Sequence, residues 1–272
     1  MRQDMSPLAG RVWELAGALA SVIFPAPCRI CGELLENASR VPLCRACQAS
    51  LAPPAGPICE RCGRPLVSTV VAEGGAQPLC NVCRRGLYDF DFARSSASYT
   101  PKVASAIVLL KYEELVPLAS LFAMRLLEVA RVYAKRCAAD VVVPVPLHPA
   151  RLRERGYNQA ELIARPLARA LGLPCRSYLL VRTRPRPDKL TLTLRERWRS
   201  VRGAYAIRQG SRVDNLRVLL VDDVLTTGAT LDACSRALRR AGASYVAALT
   251  VARAVPRGEA LPGGSLAREP NR

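Results

Sequence analysis

The stretch Val218-Leu219-Leu220-Val221-Asp222-Asp223-Val224-Leu225-Thr226-Thr227-Gly228-Ala229-Thr230 decides the fold. It opens with an apolar run typical of a buried strand, which we place at 216–221. Two carboxylates follow at the carboxyl end of that strand, where open α/β sheets bind their ligands. Threonines and a glycine then lead into a helix predicted at 229–241, and the backbone amides at a helix start favour a phosphate. The segment therefore predicts a phosphate-binding loop beside an acidic pair suited to ribose hydroxyls. A turn whose aspartates merely cap the helix is the alternative.

Strand-like and helical patterns alternate on the amino-terminal side of this segment. Strands are predicted at 89–99 and 140–146, helices at 102–112, 118–136 and 157–171, and a last strand at 244–251. This order predicts an α/β fold in which a parallel sheet carries helices on both faces. Residues 182–202 hold many charges and few large apolar side chains, so we predict a mobile loop there.

Eight of the eleven cysteines form four Cys-x-x-Cys pairs in the first third of the chain, Cys28/Cys31, Cys44/Cys47, Cys59/Cys62 and Cys80/Cys83. Two such pairs supply the four thiolates that tetrahedral zinc prefers, and Gly32 and Gly63 allow the backbone to turn towards the metal. We predict two structural zinc ions. An iron–sulfur cluster, or one zinc site with the other thiols free, is the alternative. The spacing leaves open which pairs share a metal, and consecutive pairing is the default.

Composition divides the chain into four regions. They are an amphipathic lead helix at 1–27, a double zinc-ribbon module at 28–85, the α/β domain at 86–255 and a disordered tail at 256–272. Charged residues interrupt every apolar stretch before it reaches the length of a membrane span, and we identify no signal peptide. We therefore expect a cytoplasmic protein without a membrane span.

The formal net charge of +18 suits a polyanionic partner, either nucleic acid or phosphorylated small molecules. An arginine-rich proteome is the alternative cause. His148 is the single histidine, which excludes a His-Glu-x-x-His protease and a Cys₂His₂ finger. The chain contains no Gly-x-x-x-x-Gly-Lys-[Ser/Thr] motif, which argues against a P-loop ATPase. Only 49 of the 272 residues follow Asp223, too few for a response-regulator receiver.

The segment 218–230 resembles the phosphoribosyl-pyrophosphate loop of type I phosphoribosyltransferases. A second block, Val143-Pro144-Val145-Pro146-Leu147-His148-Pro149 followed by Arg155-Gly156-Tyr157-Asn158-Gln159-Ala160, resembles the ComF family. That family carries an amino-terminal cysteine zinc module and is implicated in DNA uptake during natural transformation. Leu109-Leu110-Lys111-Tyr112 and the segment 202–205 also look like family segments. The chain departs from the family pattern at Glu113, Glu114, Lys189 and Ser200.

The resemblance implies a site for phosphoribosyl pyrophosphate or ribose 5-phosphate, with magnesium beside the pyrophosphate. Under it the aspartates hold ribose hydroxyls, the loop holds the 5-phosphate, and the proline turn with Arg155 faces pyrophosphate. The implied binding residues are Asp222, Asp223, Leu225, Thr226, Thr227, Gly228, Ala229, Thr230, Pro144, Val145, Pro146 and Arg155. Neither a catalytic base nor an acceptor is identifiable, so transferase activity stays open.

A second hypothesis is a non-catalytic adaptor that binds single-stranded DNA, with a DNA-uptake helicase as a further partner implied by the resemblance. Its support is the density of arginines in 182–202. Trp198 lies among them and could stack on a base, as aromatic side chains in single-strand-binding proteins do.

Overall fold

The structure, a computed structural model, describes residues 26–36, 39–66, 78–185 and 194–254. The expected tail at 256–272, and the lead helix apart from residues 26 and 27, lie outside this range, as do residues 186–193 of the expected loop. The backbone contacts divide the chain into two compact units. We call Met1–Leu51 the front unit and Ala52–Arg272 the main unit, and we describe each by itself.

The front unit contains the first two Cys-x-x-Cys pairs. Its described part has an antiparallel bridge between Pro27 and Leu34 and a short helix, α1 (Arg45–Ala49), that begins directly after Cys44. Cys28, Leu43, Cys47 and Leu51 are its most buried side chains.

The main unit is built on strands and helices that alternate along the chain. Its strands are β1 (Phe92–Ser98), β2 (Val141–Pro144), β3 (Leu180–Arg182), β4 (Tyr205–Ile207), β5 (Arg217–Leu225) and β6 (Tyr245–Arg253). Its helices are α2 (Asn81–Arg84), α3 (Pro101–Tyr112), α4 (Leu118–Val132), α5 (Ala134–Cys137), α6 (Pro149–Arg155), α7 (Gln159–Leu171), α8 (Leu194–Val201) and α9 (Ala229–Arg240).

Four strands form a parallel sheet in the order β1-β6-β5-β2, and β3 and β4 form a separate antiparallel pair. Side chains of β5 alternate between the two faces of the sheet. Val218 and Leu220 belong to the core layer that contains α9, while Leu219 and Val221 point to the opposite face, where α4 packs on α7. All four are fully buried, which explains the uninterrupted apolar run. The predicted α/β fold with helices on both faces is therefore confirmed.

The expected loop at 182–202 was wrong in its described part. Residues 194–201 form helix α8, and the chain on either side forms strands β3 and β4. Leu194, Trp198 and Val201 have helical spacing in the sequence, but the surrounding arginines obscured it. Trp198 and Val201 pack against the core.

Among the helices in the described ranges, none combines the length and the apolar character required to cross a bilayer.

Candidate functional site

The eight paired cysteines form two groups of four, each within one unit. Cys28, Cys31, Cys44 and Cys47 make the first cysteine group, and Cys59, Cys62, Cys80 and Cys83 make the second. All sulfur atoms within a group lie within 4.8 Å of one another. The Sγ atoms of Cys31 and Cys44 are 3.6 Å apart, as are those of Cys62 and Cys80. A tetrahedral zinc with bonds of about 2.3 Å separates its sulfurs by about 3.8 Å. The consecutive pairing is confirmed, and the geometry is consistent with two structural zinc ions.

The two groups share one knuckle geometry. The amide of Gly32 donates to the Cys28 carbonyl and that of Gly63 to the Cys59 carbonyl, both at 2.9 Å. Gly32 has φ +79° and Gly63 has φ +66°, a region that side-chain-bearing residues rarely adopt. The expected role of both glycines is confirmed.

The second cysteine group is buried in the core of the main unit. The surroundings of Arg253 show whether this group of cysteines suits a metal ion. Arg253 is 2% exposed, and within the described part of the chain its Nε and Nη2 have no hydrogen-bond partner. Burial lowers the pKa of this guanidinium, while the negative charge of Cys62 opposes that effect. Four thiolates around Zn²⁺ carry a net charge of −2, so a buried guanidinium with free N–H groups suits this site. The residues therefore fit zinc.

The acidic pair lies inside strand β5 rather than after it. Asp222 pairs in register with Thr250 of β6, and both aspartates are buried. The backbone amide of Asp223 donates to Asp222 Oδ1 at 2.9 Å. Strand β5 extends beyond the predicted end because its neighbour β6 continues to Arg253 and supplies hydrogen-bond partners.

Two side chains from distant helices converge on Asp223. Lys111 Nζ lies 2.6 Å from Asp223 Oδ2, and Gln159 Nε2 donates to the same oxygen at 2.9 Å. Arg155 donates from Nη1 to Gln159 Oε1 at 2.5 Å, and its guanidinium lies 4.9 Å from the Tyr112 ring centroid. Both Lys111 and Gln159 belong to segments that resembled the family, but we did not identify them as site residues from the sequence.

The proline turn lies beside the acidic pair. Pro144 pairs in register with Val221, and the Val145 amide donates to the Val221 carbonyl at 2.9 Å. Asn158 donates to the Val145 carbonyl and accepts from the Ala160 amide, both at 3.0 Å, so it joins this turn to the start of α7. The structure thus brings Pro144 and Val145, with Pro146 next in the chain, beside Val221 and the acidic pair of β5.

Residues 226–228 connect β5 to α9, and residues 229 and 230 begin that helix. Gly228 precedes the first residue of α9 with φ +82°, and Thr227 Oγ1 accepts from the Ala229 amide at 3.3 Å. Leu225 is buried, and its carbonyl accepts from Arg253 Nη1 at 2.9 Å. Of the predicted loop residues, Thr226 and Thr230 are partly exposed.

The connections after β2 and β5 leave the sheet in opposite directions. After β2 the chain passes through α7 and returns at Cys175, which bridges to Val142 on the outer side of β2. After β5 it passes through α9 to β6, on the other side. Ligands of open α/β sheets bind at such a switch point, outside the carboxyl ends of the strands. The acidic pair and the proline turn both lie at this point.

Three other residues considered from the sequence, His148, Arg151 and Trp198, make contacts outside the group of residues around Asp223. The imidazole of His148 caps α6, with Nδ1 accepting from the Ala150 amide at 3.3 Å. Arg151 forms an exposed ion pair with Glu154 at 2.8 Å. Trp198 is half-buried, and its ring stacks on that of Tyr88 with the two centroids 6.0 Å apart, so its stacking on a DNA base stays a prediction.

The fold and these groups define a class of protein, a phosphoribosyltransferase-type domain combined with a double zinc ribbon. The family model of the phosphoribosyl transferase domain matches residues 158–262, and that of the double zinc ribbon domain matches residues 19–84. The chain is 30% identical over 214 residues to the DNA utilization protein YhgH of Salmonella typhi, covering 75% of this chain and 93% of that protein. The chain therefore belongs to the ComF/YhgH family of competence and DNA utilization proteins.

Two competence proteins are also similar. Competence protein F of Haemophilus influenzae is 34% identical over 116 residues, which cover 42% of this chain and 51% of that protein. Competence protein ComFC of Bacillus subtilis is 27% identical over 216 residues, which cover 78% of this chain and 84% of that protein.

Proposed function

We propose that the main unit binds phosphoribosyl pyrophosphate, or ribose 5-phosphate, at the carboxyl edge of β2 and β5. The observation that carries this proposal is the buried pair Asp222 and Asp223, three residues ahead of residues 226–230 at the switch point of the sheet. Carboxylates accept hydrogen bonds from vicinal ribose hydroxyls, and the start of α9 favours the 5-phosphate. The aspartates and residues 226–230 are close enough in the chain to bind the hydroxyls and the 5-phosphate of one ribose phosphate.

In this proposal the remaining residues contact different parts of the ligand. The turn at Pro144, Val145 and Pro146 faces the pyrophosphate in this proposal, with Arg155 as a candidate cation. Magnesium neutralises pyrophosphate charge when it accompanies such a ligand. The loop residues Leu225, Thr226, Thr227, Gly228, Ala229 and Thr230 contribute through their backbone and hydroxyl groups. No side chain among them is assigned as a base, and the acceptor of a transfer reaction stays unassigned.

The names of the relatives set the cellular context of the proposal. They are a DNA utilization protein and two competence proteins, so we propose that this protein acts in the use or uptake of DNA. A location in the cytoplasm and a DNA-uptake helicase as partner are proposed from the family resemblance of the sequence alone. A second candidate function is binding of single-stranded DNA. It is favoured by Arg184, Arg199 and Arg202, which are exposed around β3, α8 and β4.

Isothermal calorimetry with phosphoribosyl pyrophosphate and magnesium tests the first proposal. The double variant Asp222→Asn/Asp223→Asn should lose most of the affinity. The matched control is Asp140→Asn, because Asp140 accepts from the Arg217 amide at the opposite end of the sheet. Equal binding by the double variant and the parent would contradict the proposal.

A further inference from the structure

We propose that the second cysteine group, when it holds zinc, positions residues 226–230 for a phosphate, and that Tyr88 and Arg253 are the positioning residues that connect the two. The ligand part of this inference depends on the proposed function. The structural part does not, because it concerns contacts between the cysteine knuckle and the loop.

The first connection starts inside the knuckle. Arg61 lies between Cys59 and Cys62, and its Nη2 donates to the Tyr88 carbonyl at 2.6 Å and to the Phe90 carbonyl at 2.7 Å. The amide of Ala93 in turn donates to the Arg61 carbonyl at 2.8 Å. The conformation of the knuckle therefore holds the backbone on which Tyr88 stands.

The second connection is the Tyr88 side chain. It is 3% exposed, its ring stacks on Phe90 at 4.5 Å, and its hydroxyl donates to the Thr227 carbonyl at 2.7 Å. A Cβ atom added to Gly228 would lie 2.6 Å from the ring, so glycine is the residue that admits this close approach. The Tyr88 side chain thus holds the loop by a hydrogen bond to Thr227 and by packing of its ring against Gly228.

The third connection is Arg253. Its Nη1 donates to the Leu225 carbonyl at 2.9 Å and to the Thr226 carbonyl at 2.6 Å. Its other buried N–H groups are the ones without a partner in the described part of the chain, and the nearby charges of Cys62 and Cys80 favour its cationic form. The Arg253 guanidinium therefore holds the backbone at the start of the loop from within the protein interior.

These contacts decide which way the loop presents its amides. Arg253 and Tyr88 hold the carbonyls of Leu225, Thr226 and Thr227. In a trans peptide unit the carbonyl and the following N–H point in opposite directions, and the described backbone contains no cis peptide. The amides of Thr226, Thr227 and Gly228 therefore point away from Arg253 and Tyr88. Consecutive amides that point to one side form an anion-binding concavity.

Hydrogen exchange measured by mass spectrometry tests the inference on the full chain. Tyr88→Phe removes one hydroxyl and should speed exchange in peptides covering 224–230 about tenfold. Arg61→Gln should do the same while zinc content stays unchanged. The control is Tyr245→Phe, which removes a similar hydrogen bond, to the Arg136 carbonyl, at the other end of the sheet.

Loss of zinc gives a second, independent readout. Cys80→Ser/Cys83→Ser should lose one zinc and speed exchange of the loop, whereas Cys31→Ser/Cys44→Ser should lose one zinc and leave the loop unchanged. If the first of these fails to fold, Tyr88→Phe and Arg61→Gln decide the matter.

Calorimetry on Tyr88→Phe should show phosphoribosyl pyrophosphate binding weakened about tenfold. Wild-type exchange rates at 224–230 in both Tyr88→Phe and Arg61→Gln would overturn the inference. Absence of binding by the parent protein would instead overturn the proposed function, while the exchange result would still decide the connection.

Discussion

Lys111 Nζ and Asp223 Oδ2 are 2.6 Å apart, so the second acid of the candidate site has a cationic partner within the protein. Lys111 lies in the last turn of helix α3 and Asp223 lies in β5. Gln159 donates to the same oxygen, so under the proposed function a ribose hydroxyl would bind the other oxygen, Asp223 Oδ1.

The first prediction concerns this ion pair. Lys111→Met should lower the free energy of unfolding by about 2 kcal/mol, because it leaves a buried carboxylate with one neutral donor. Urea unfolding followed by circular dichroism measures it. Lys102→Met on the exposed side of α3 is the matched control and should change stability by less than about 0.5 kcal/mol. Equal effects of the two variants would show that the pair does not stabilise the fold.

The second prediction concerns Gly228. Gly228→Ala places a side chain at a positive φ and brings its Cβ into overlap with the Tyr88 ring, so we expect the free energy of unfolding to fall by more than about 2 kcal/mol. Gly172→Ala shares the positive φ, but its Cβ would meet nothing within 4 Å, and it should cost about 1 kcal/mol. Thermal unfolding of the two variants provides the comparison. A smaller loss at Gly228 than at Gly172 would mean that Tyr88 does not pack against the loop.

The third prediction concerns zinc release. Metal analysis should find two zinc ions per chain. A chelator should remove them in two phases, the first cysteine group first, because Cys31 is exposed whereas all four cysteines of the second group are buried. Release followed in Cys31→Ser assigns the phases, since the fast phase should disappear. Iron in place of zinc, or less than one ion per chain, would contradict the assignment of the cysteines.

The fourth prediction concerns DNA. Arg184→Glu/Arg199→Glu/Arg202→Glu should weaken binding of a single-stranded oligonucleotide and flatten the log–log salt dependence by about 0.7 for each phosphate that an arginine no longer neutralises. Fluorescence anisotropy at several salt concentrations measures both. Arg131→Glu/Arg169→Glu/Arg240→Glu changes net charge equally at exposed positions elsewhere and serves as the control. If both triple variants lose affinity alike, the arginines around α8 form no specific binding surface.

Much of the fold follows from local patterns. The apolar run at 218–221 predicts a strand buried on both faces, because a parallel sheet covered by helices exposes neither side. The spacing of the cysteines and the glycines at 32 and 63 predicts two knuckle pairs, because the turn towards a metal is made within a few residues. The α8 helix was missed, since the many charged residues obscured the helical spacing of Leu194, Trp198 and Val201 in the sequence.

The sequence by itself determined the strands of the parallel sheet, its main helices, the four Cys-x-x-Cys pairs and the loop that follows β5, since each depends on residues close together in the chain. Only the tertiary structure decided which side chains meet there. Gln159 reaches Asp223 across 64 residues, and the Tyr88 hydroxyl reaches the Thr227 carbonyl across 139. No local periodicity encodes such contacts, because the packing of α7 and of the second cysteine group against the sheet brings these groups together.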